Sequence, residues 1–272
     1  MKTDVKKANA VKDNLTVYLP EIFYLLGESD LDWERINDLF SKKIDERVKQ
    51  GRGQAILVET TLYDIIVEVK KKNLQAIRLI DFLKKLFGEL SINLQDDEKR
   101  LIKRNLRDTL VSLDHNYLNF VGELAVLNNL IKSRSYQLLE TESKADHGKS
   151  IDFKLQKVDG QIILVEIQNI HLKEEKVEEE DEKISKFLVD KISQKLESKK
   201  AGLSGSLDSY LVPVLWGSTN SLKIYCNYFK RNKIQIQNVS EPLAYLTLTD
   251  ETEYFMEHRF GNISNLFRGV DA

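Results

Sequence analysis

Cysteine is almost absent from the 272-residue sequence, which contains Cys226 alone. This single thiol excludes an internal disulfide and a thiolate metal cluster. The sequence also lacks an apolar run of the roughly 18 residues that a membrane-spanning helix needs. Its first residues (MKTDVKK) are charged and lack the apolar stretch of a signal peptide. These absences predict a cytoplasmic protein without a membrane segment.

Neither sign of charge dominates the sequence: 41 basic and 43 acidic residues give a formal net charge of −2. The charge is unevenly distributed, because segment 174–182 holds seven acidic residues and one lysine. The rest of the chain therefore carries 40 basic and 36 acidic residues. This composition leaves room for basic patches, and it neither supports nor excludes a partner rich in phosphate groups.

Residues 1–115 are predicted to form an all-helical N-terminal region. Apolar residues recur there every three or four positions, which is the spacing of one buried helix face. The predicted helices begin near Asp30 and cover 60–71, 74–90 and 96–113. Because no motif of known chemistry occurs in this region, three roles stay open for it: recognition, formation of a homodimer, or coverage of the following sheet.

Residues 116–272 are predicted to form a second domain of the α/β class. Segment 150–158 alternates between apolar and polar residues, and Asp159-Gly160 is a turn signal, so a β-hairpin is expected. Segment 161–170 is almost continuously apolar, which is typical of a central strand that is buried on both faces. The predicted elements are a helix at 118–131, strands at 136–141, 150–158 and 161–170, a helix at 174–200, a strand at 210–216, a helix at 220–231 and a strand at 243–249.

Two carboxylates interrupt the predicted hairpin, Asp152 in its first strand and Glu166 in its second. With the turn centred at position 159, these residues lie nearly opposite each other, where Cβ atoms are about 4.5–5.5 Å apart. Two like charges so placed repel each other, and a divalent cation between them would remove the repulsion. Gln168 lies on the same strand face as Glu166, and the carbonyl of Ile167 is a further oxygen ligand. An oxygen-lined site of this kind is suited to Mg²⁺ or Mn²⁺.

The stretch GKSIDFKL at 148–155, the Asp-Gly turn and ILVEIQN at 163–169 resemble the signature of the PD-(D/E)xK nuclease superfamily. The resemblance covers residues 118–216. It implies a restriction-endonuclease-like α-β-β-β-α-β core with a mixed sheet, in which Asp152 and Glu166 bind the metal. It also implies that Glu123, on the preceding helix, is a further metal ligand. The chain departs from the signature at Ile151, which replaces the proline, and at Gln168, which replaces the lysine.

The lysine that Gln168 replaces would stabilise the charge that develops on the phosphate, whereas a glutamine can orient water but brings no positive charge. Lys154 on the hairpin is one candidate substitute. Lys191, Lys195 and Lys199 form an i, i+4, i+8 stripe on the following predicted helix, and Lys195 is the preferred candidate. Interpretations without a catalytic role stay open. A lysine stripe is also typical of a solvated helix face, and Glu123 is also compatible with an acidic residue on a helix surface.

The sequence thus predicts a Mg²⁺-dependent nuclease that acts on nucleic acid, with DNA endonuclease cleavage as the leading hypothesis. The predicted catalytic residues are Asp152, Glu166, Gln168 and Lys195, and the predicted metal ligands are Glu123, Asp152 and Glu166. Two alternatives remain: an enzyme that acts on RNA, and a catalytically inactive nuclease-fold protein that binds nucleic acid or protein.

Overall fold

The computed structural model describes residues 10–39, 42, 61–112, 116–144, 150–203, 208–249 and 256–268. The chain forms two compact units, Met1–Leu124 and Ala125–Ala272. The division lies inside a helix, Tyr117–Ile131. The predicted boundary between residues 115 and 116 therefore stays a prediction.

The described part of the first unit contains helices and the turns that join them, and no strand. Residues 33–39 are helical, as expected from the pattern after Asp30. The segment predicted as one helix over 96–113 is two helices, because ψ of the fully buried Ile102 opens to −2° and interrupts the regular backbone. The helices are α1 (Ala10–Tyr18), α2 (33–39), α3 (Leu62–Lys70), α4 (Leu74–Asn93), α5 (Asp96–Leu101), α6 (Lys103–Val111) and α7 (Tyr117–Ile131).

Capping side chains fix where two of these helices begin. The hydroxyl of Thr61 accepts a hydrogen bond from the backbone N–H of Asp64, whose carboxylate accepts one from the N–H of Thr61. This reciprocal pair satisfies two backbone donors at the start of α3. The side chain of Asn73 accepts from the N–H groups of Gln75 and Ala76 and so caps α4.

The second unit contains a sheet with six strands in the described residues, ordered β1-β2-β3-β4-β5-β6. The pairs β1–β2, β2–β3 and β5–β6 are antiparallel, whereas β3–β4 and β4–β5 are parallel. The prediction of an α/β chain with a mixed sheet is thus confirmed. The strands are β1 (Tyr136–Lys144), β2 (Ser150–Lys157), β3 (Ile162–His171), β4 (Asp208–Trp216), β5 (Leu243–Thr249) and β6 (Met256–Asn262).

The predicted hairpin joins β2 to β3 in the predicted register. Phe153 pairs with Val165 and Leu155 pairs with Ile163, so the pairing is centred on position 159. Gly160 has φ of +84°, a left-handed conformation that glycine adopts without steric cost. β3 lies between β2 and β4, as its continuous apolar run predicted.

Two helices pack against one face of this sheet, α8 (Asp181–Leu203) and α9 (Thr219–Arg231). The predicted start of α8 at residue 174 is wrong. Residues Glu174–Lys176 form a short 3₁₀ turn, and Val177 has an extended backbone (ψ 120°) because its side chain packs against the apolar cluster beneath the helices. None of the helices in the described ranges is both long and apolar enough to cross a lipid bilayer.

Candidate active site

Glu166 is a carboxylate inside the apolar core of the second unit. It lies on β3 between the buried residues Val165 and Ile167, and 0% of its side chain is exposed. Nζ of Lys195 lies 2.7 Å from its Oε1, and Nζ of Lys199 lies 2.9 Å from the same oxygen. The two lysines are four residues apart on α8, so they project from one side of that helix over β3.

The ion-pair contacts of Glu166 involve its Oε1. Both ammonium groups contact Oε1 as ion pairs, and the buried Oε2 has no hydrogen-bond partner among the described residues. Leaving a buried charged oxygen without a partner costs free energy. A bound cation or an ordered water would remove that cost.

Asp152 lies where the pairing between β2 and β3 ends. The last pair of the ladder is Phe153 with Val165, and the backbone N–H of Ile167 donates to Oδ2 of Asp152 at 2.7 Å. Burial and, to a smaller extent, the nearby charge of Glu166 raise the pKa of Asp152 to about 7. The hydrogen bond from Ile167 and the lysines of α8 act in the opposite direction. The two predicted carboxylates are therefore close enough to influence each other.

Gln168 follows Glu166 on the same face of β3 and is fixed by α8. Its Nε2 donates to the backbone carbonyl of Lys191 at 2.9 Å. Its Oε1 is buried and has no hydrogen-bond partner in the described part of the chain. One face of β3 thus presents two buried oxygens without partners, one from Glu166 and one from Gln168.

The remaining predicted residues have other surroundings. Lys154 forms an ion pair with Glu140 of β1 at 2.8 Å. The backbone carbonyl of Lys191 accepts from Gln168, while its side chain is exposed. Glu123, on α7 within the first unit, accepts a hydrogen bond from Nδ2 of Asn105 at 2.8 Å. Gly148 and Lys149, which belong to the matched sequence signature, lie outside the described residues.

The donor set at β3 fits a hard divalent cation in part. Within the described ranges, no group of three or more His, Cys, Asp and Glu side chains is placed to hold a metal ion. Two carboxylates are available, Asp152 and Glu166, and Oε2 of Glu166 lacks a partner. Mg²⁺ is commonly held by one or two carboxylates together with water and substrate oxygens. An ion at this position would therefore need water or phosphate to complete its coordination.

A cavity of about 480 Å³ lies beside this site and reaches Gln168 and Lys195. Its walls come from the end of β3, the segment that follows β3, α8 and α9. This cavity was not predictable from the sequence, because residues far apart in the chain form it and no local pattern marks them. The one local signal was the presence of Lys173 and Lys176 just after the central strand.

Lys199 also has a larger role in the geometry than the preference for Lys195 implied. Besides its contact with Glu166, its ammonium group donates to the backbone carbonyl of Ser150 on β2. It therefore links α8 to both strands of the hairpin.

Comparison of the chain with models of protein families and with curated protein sequences finds no match.

Proposed function

We propose that this protein is a metal-dependent nuclease, with a restriction-endonuclease-like core and DNA endonuclease cleavage as its activity. The observation that carries the proposal is the fully buried carboxylate of Glu166. Asp152, whose pKa is raised, lies beside it, two lysines contact its Oε1, and its Oε2 has no hydrogen-bond partner among the described residues. The order α7, β1, β2, β3, α8, β4 supports the proposed core, since it is the order that the family resemblance implies.

Asp152, Glu166 and the backbone carbonyl of Ile167 would hold the Mg²⁺ or Mn²⁺ ion. When bound, such an ion polarises a phosphate oxygen and lowers the pKa of a coordinated water. The role of Glu123 as a further ligand stays a prediction.

Lys195 would supply the positive charge that Gln168 does not. Its ammonium group lies 2.7 Å from Glu166, so it would place positive charge beside a phosphate that occupies this site and stabilise the negative charge that develops on that phosphate. Lys199 would add a second positive charge. Preorganised charges of this kind cost no rearrangement at the moment of reaction.

Gln168 would orient the attacking water. Its amide nitrogen is bound to the carbonyl of Lys191, which fixes the plane of the side-chain amide. The remaining acceptor, Oε1, is buried and has no partner among the described residues. A carbonyl oxygen held in this way accepts a hydrogen bond from water and so restricts its direction of attack.

The second candidate function is a nuclease-fold protein that binds nucleic acid or protein without cleaving it. The contacts of Lys195 and Lys199 with Glu166 favour this alternative, because they compensate the buried charge without a metal ion. The two candidates differ in whether a divalent cation binds at Glu166.

Cleavage assays with purified protein separate the candidates. Labelled DNA and RNA would be incubated with Mg²⁺, Mn²⁺ or EDTA, and metal binding would be measured in parallel by calorimetry. Cleavage that needs the metal and is abolished by Asp152→Asn or Glu166→Gln is expected. Glu197→Gln makes the same chemical change at an exposed position of α8 and should leave cleavage unchanged.

Absence of both metal binding and cleavage would contradict the catalytic proposal. If the wild-type protein binds neither ion, even with a short DNA present, and cleaves neither nucleic acid, the catalytic proposal is wrong. The binding-only alternative would then stand.

A further inference from the structure

The cavity beside Gln168 and Lys195 has a cationic lining. Lys173, Lys176, Lys191 and Lys195 contribute to its walls, and no aspartate or glutamate does so among the described residues. Lys173, Lys176 and Lys191 have no ion-pair partner in the described part of the chain, so their charges are available to a ligand. Segment 174–182 contributes Lys176 and Val177 to this lining but none of its acidic residues, so the lining favours an anion such as phosphate.

The same cavity has an aromatic and apolar wall. Phe187 of α8 and Tyr225 of α9 meet edge to face, with ring centroids 6.4 Å apart and planes at 77°. Ile170 and Val177 extend this apolar surface. A phosphate group makes no favourable contact with an apolar wall, whereas an aromatic base can stack on it.

The size of the cavity favours a base that is not stacked and paired in a duplex. Its volume of about 480 Å³ is within the range of pockets that enclose small ligands. Bases of an intact duplex are stacked and paired, so they reach a pocket of this kind only after being turned out of the helix, which costs a few kcal/mol. Unpaired bases enter without that cost.

We propose that this cavity is a pocket for one unpaired nucleotide, and that the protein therefore acts on single-stranded or locally unpaired nucleic acid. The proposal rests on the proposed function, since the pocket adjoins the candidate catalytic residues. The base stacks on Phe187, which packs against the buried ring of Tyr225. The adjoining phosphates contact Lys173, Lys176 and Lys191, and the neighbouring phosphodiester lies towards Lys195. The amide of Gln194, which also lines the cavity, supplies hydrogen bonds to the base edge.

Equilibrium binding in EDTA tests the pocket without requiring cleavage. Fluorescence anisotropy would compare a labelled single strand, the blunt duplex of the same sequence and a single strand of abasic sites. The single strand should bind at least about tenfold more tightly than the other two, since stacking of a base on an aromatic side chain strengthens binding by about this factor or more. Free AMP should compete only weakly with the single strand.

Two variants locate the effect in the cavity. Phe187→Ala should weaken binding of the single strand about tenfold and leave the abasic strand unchanged. Val189→Ala is its control, because it shortens an exposed apolar side chain of the same helix outside the cavity. Lys173→Glu combined with Lys176→Glu should weaken binding of both strands, whereas Lys230→Glu, at an exposed position of α9 outside the cavity, should weaken it much less.

The possible results distinguish the pocket from the proposed function. Equal binding of single strand, duplex and abasic strand overturns the pocket, even if metal-dependent cleavage is observed. Phe187-dependent binding without any cleavage supports the pocket and contradicts the catalytic proposal. Free AMP that binds more tightly than the strand overturns the assignment to a substrate nucleotide, and a complete lack of nucleic-acid binding overturns both proposals.

Discussion

Nζ of Lys195 lies 2.7 Å from Oε1 of Glu166, a carboxylate whose side chain is 0% exposed. Lys199 contacts the same oxygen, and neither lysine is strongly exposed (28% and 16%). The buried charge of Glu166 is thus tolerated because α8 brings two opposite charges to it. This relationship couples the stability of the second unit to the residues that are proposed to act on phosphate.

Removing both lysines should destabilise the protein strongly. Lys195→Met combined with Lys199→Met keeps most of the apolar side chain but leaves Glu166 unpaired, and breaking a buried pair costs about 3–5 kcal/mol. Adding Glu166→Gln to this variant should restore much of the free energy of unfolding, because position 166 then carries no buried charge. Urea denaturation followed by circular dichroism measures these differences.

Lys191→Met is the matched control for this cycle. Lys191 belongs to the same lysine stripe, but its side chain is exposed and has no ion-pair partner among the described residues. Its replacement should change the free energy of unfolding by less than about 0.5 kcal/mol. If the Glu166→Gln addition fails to rescue the double lysine variant, the lysines stabilise the unit by packing and not by charge.

Much of the second unit could be predicted from the sequence, because its strands carry strong local patterns. The alternation in 150–158 and the Asp159-Gly160 turn were sufficient to predict both the hairpin and its register. β6 was not predicted, since its sequence MEHRFGN has no regular alternation. The premature start assigned to α8 arose because acidic residues favour a helix N-terminus, while packing of Val177 on the core keeps the chain extended there.

The candidate site was predictable only in part. Strand periodicity was enough to place Glu166 and Gln168 on one face, and helical periodicity was enough to align Lys195 with Lys199. The contact of both lysines with a single oxygen depends on the rotation of α8 over β3, which no local pattern encodes. The cavity likewise depends on how α8 and α9 pack, so Phe187 and Tyr225 carried no functional signal in the sequence.

Alanine at Gly160 should destabilise the hairpin of β2 and β3. Gly160 has φ of +84°, and a Cβ atom added there would meet nothing within 4 Å, so the cost comes from the backbone alone. A left-handed conformation costs an L-residue about 1–2 kcal/mol. Chemical denaturation of Gly160→Ala should show a loss of this size.

Gly88→Ala should have the opposite effect and increase the free energy of unfolding. Gly88 lies inside α4, and the nearest atom to an added Cβ would be Cγ of Glu21 at 4.0 Å, an ordinary contact distance. Alanine is favoured over glycine in a helix interior by about 0.8–1.0 kcal/mol. A stabilising Gly160→Ala or a clearly destabilising Gly88→Ala would contradict the backbone conformations described here.

Asp181 should make a pH-dependent contribution to stability. It is the first residue of α8, and its carboxylate accepts hydrogen bonds from Nη2 of Arg231 at 2.6 Å and from Nδ2 of Asn232 at 2.9 Å. The hydrogen bond from Arg231 is the main cause that holds the pKa of Asp181 below its ordinary value of 3.8. Because the folded state lowers this pKa, the stabilisation is fully present above about pH 4 and is lost as the pH falls through the lowered pKa.

Thermal unfolding of Asp181→Asn across pH measures this contribution. The variant should have a lower Tm than the wild type at pH 7. The difference should shrink as the pH falls below 3.8 and through the lowered pKa of the folded state, where the wild-type carboxylate becomes protonated. The difference should be small and should decrease with added salt, because the pair is solvent-exposed. Asp190→Asn, at an exposed position of the same helix without a partner in the described residues, should show no such dependence. A Tm difference for Asp181→Asn that persists unchanged to pH 2 would mean that the contact stabilises the two helices without its charge.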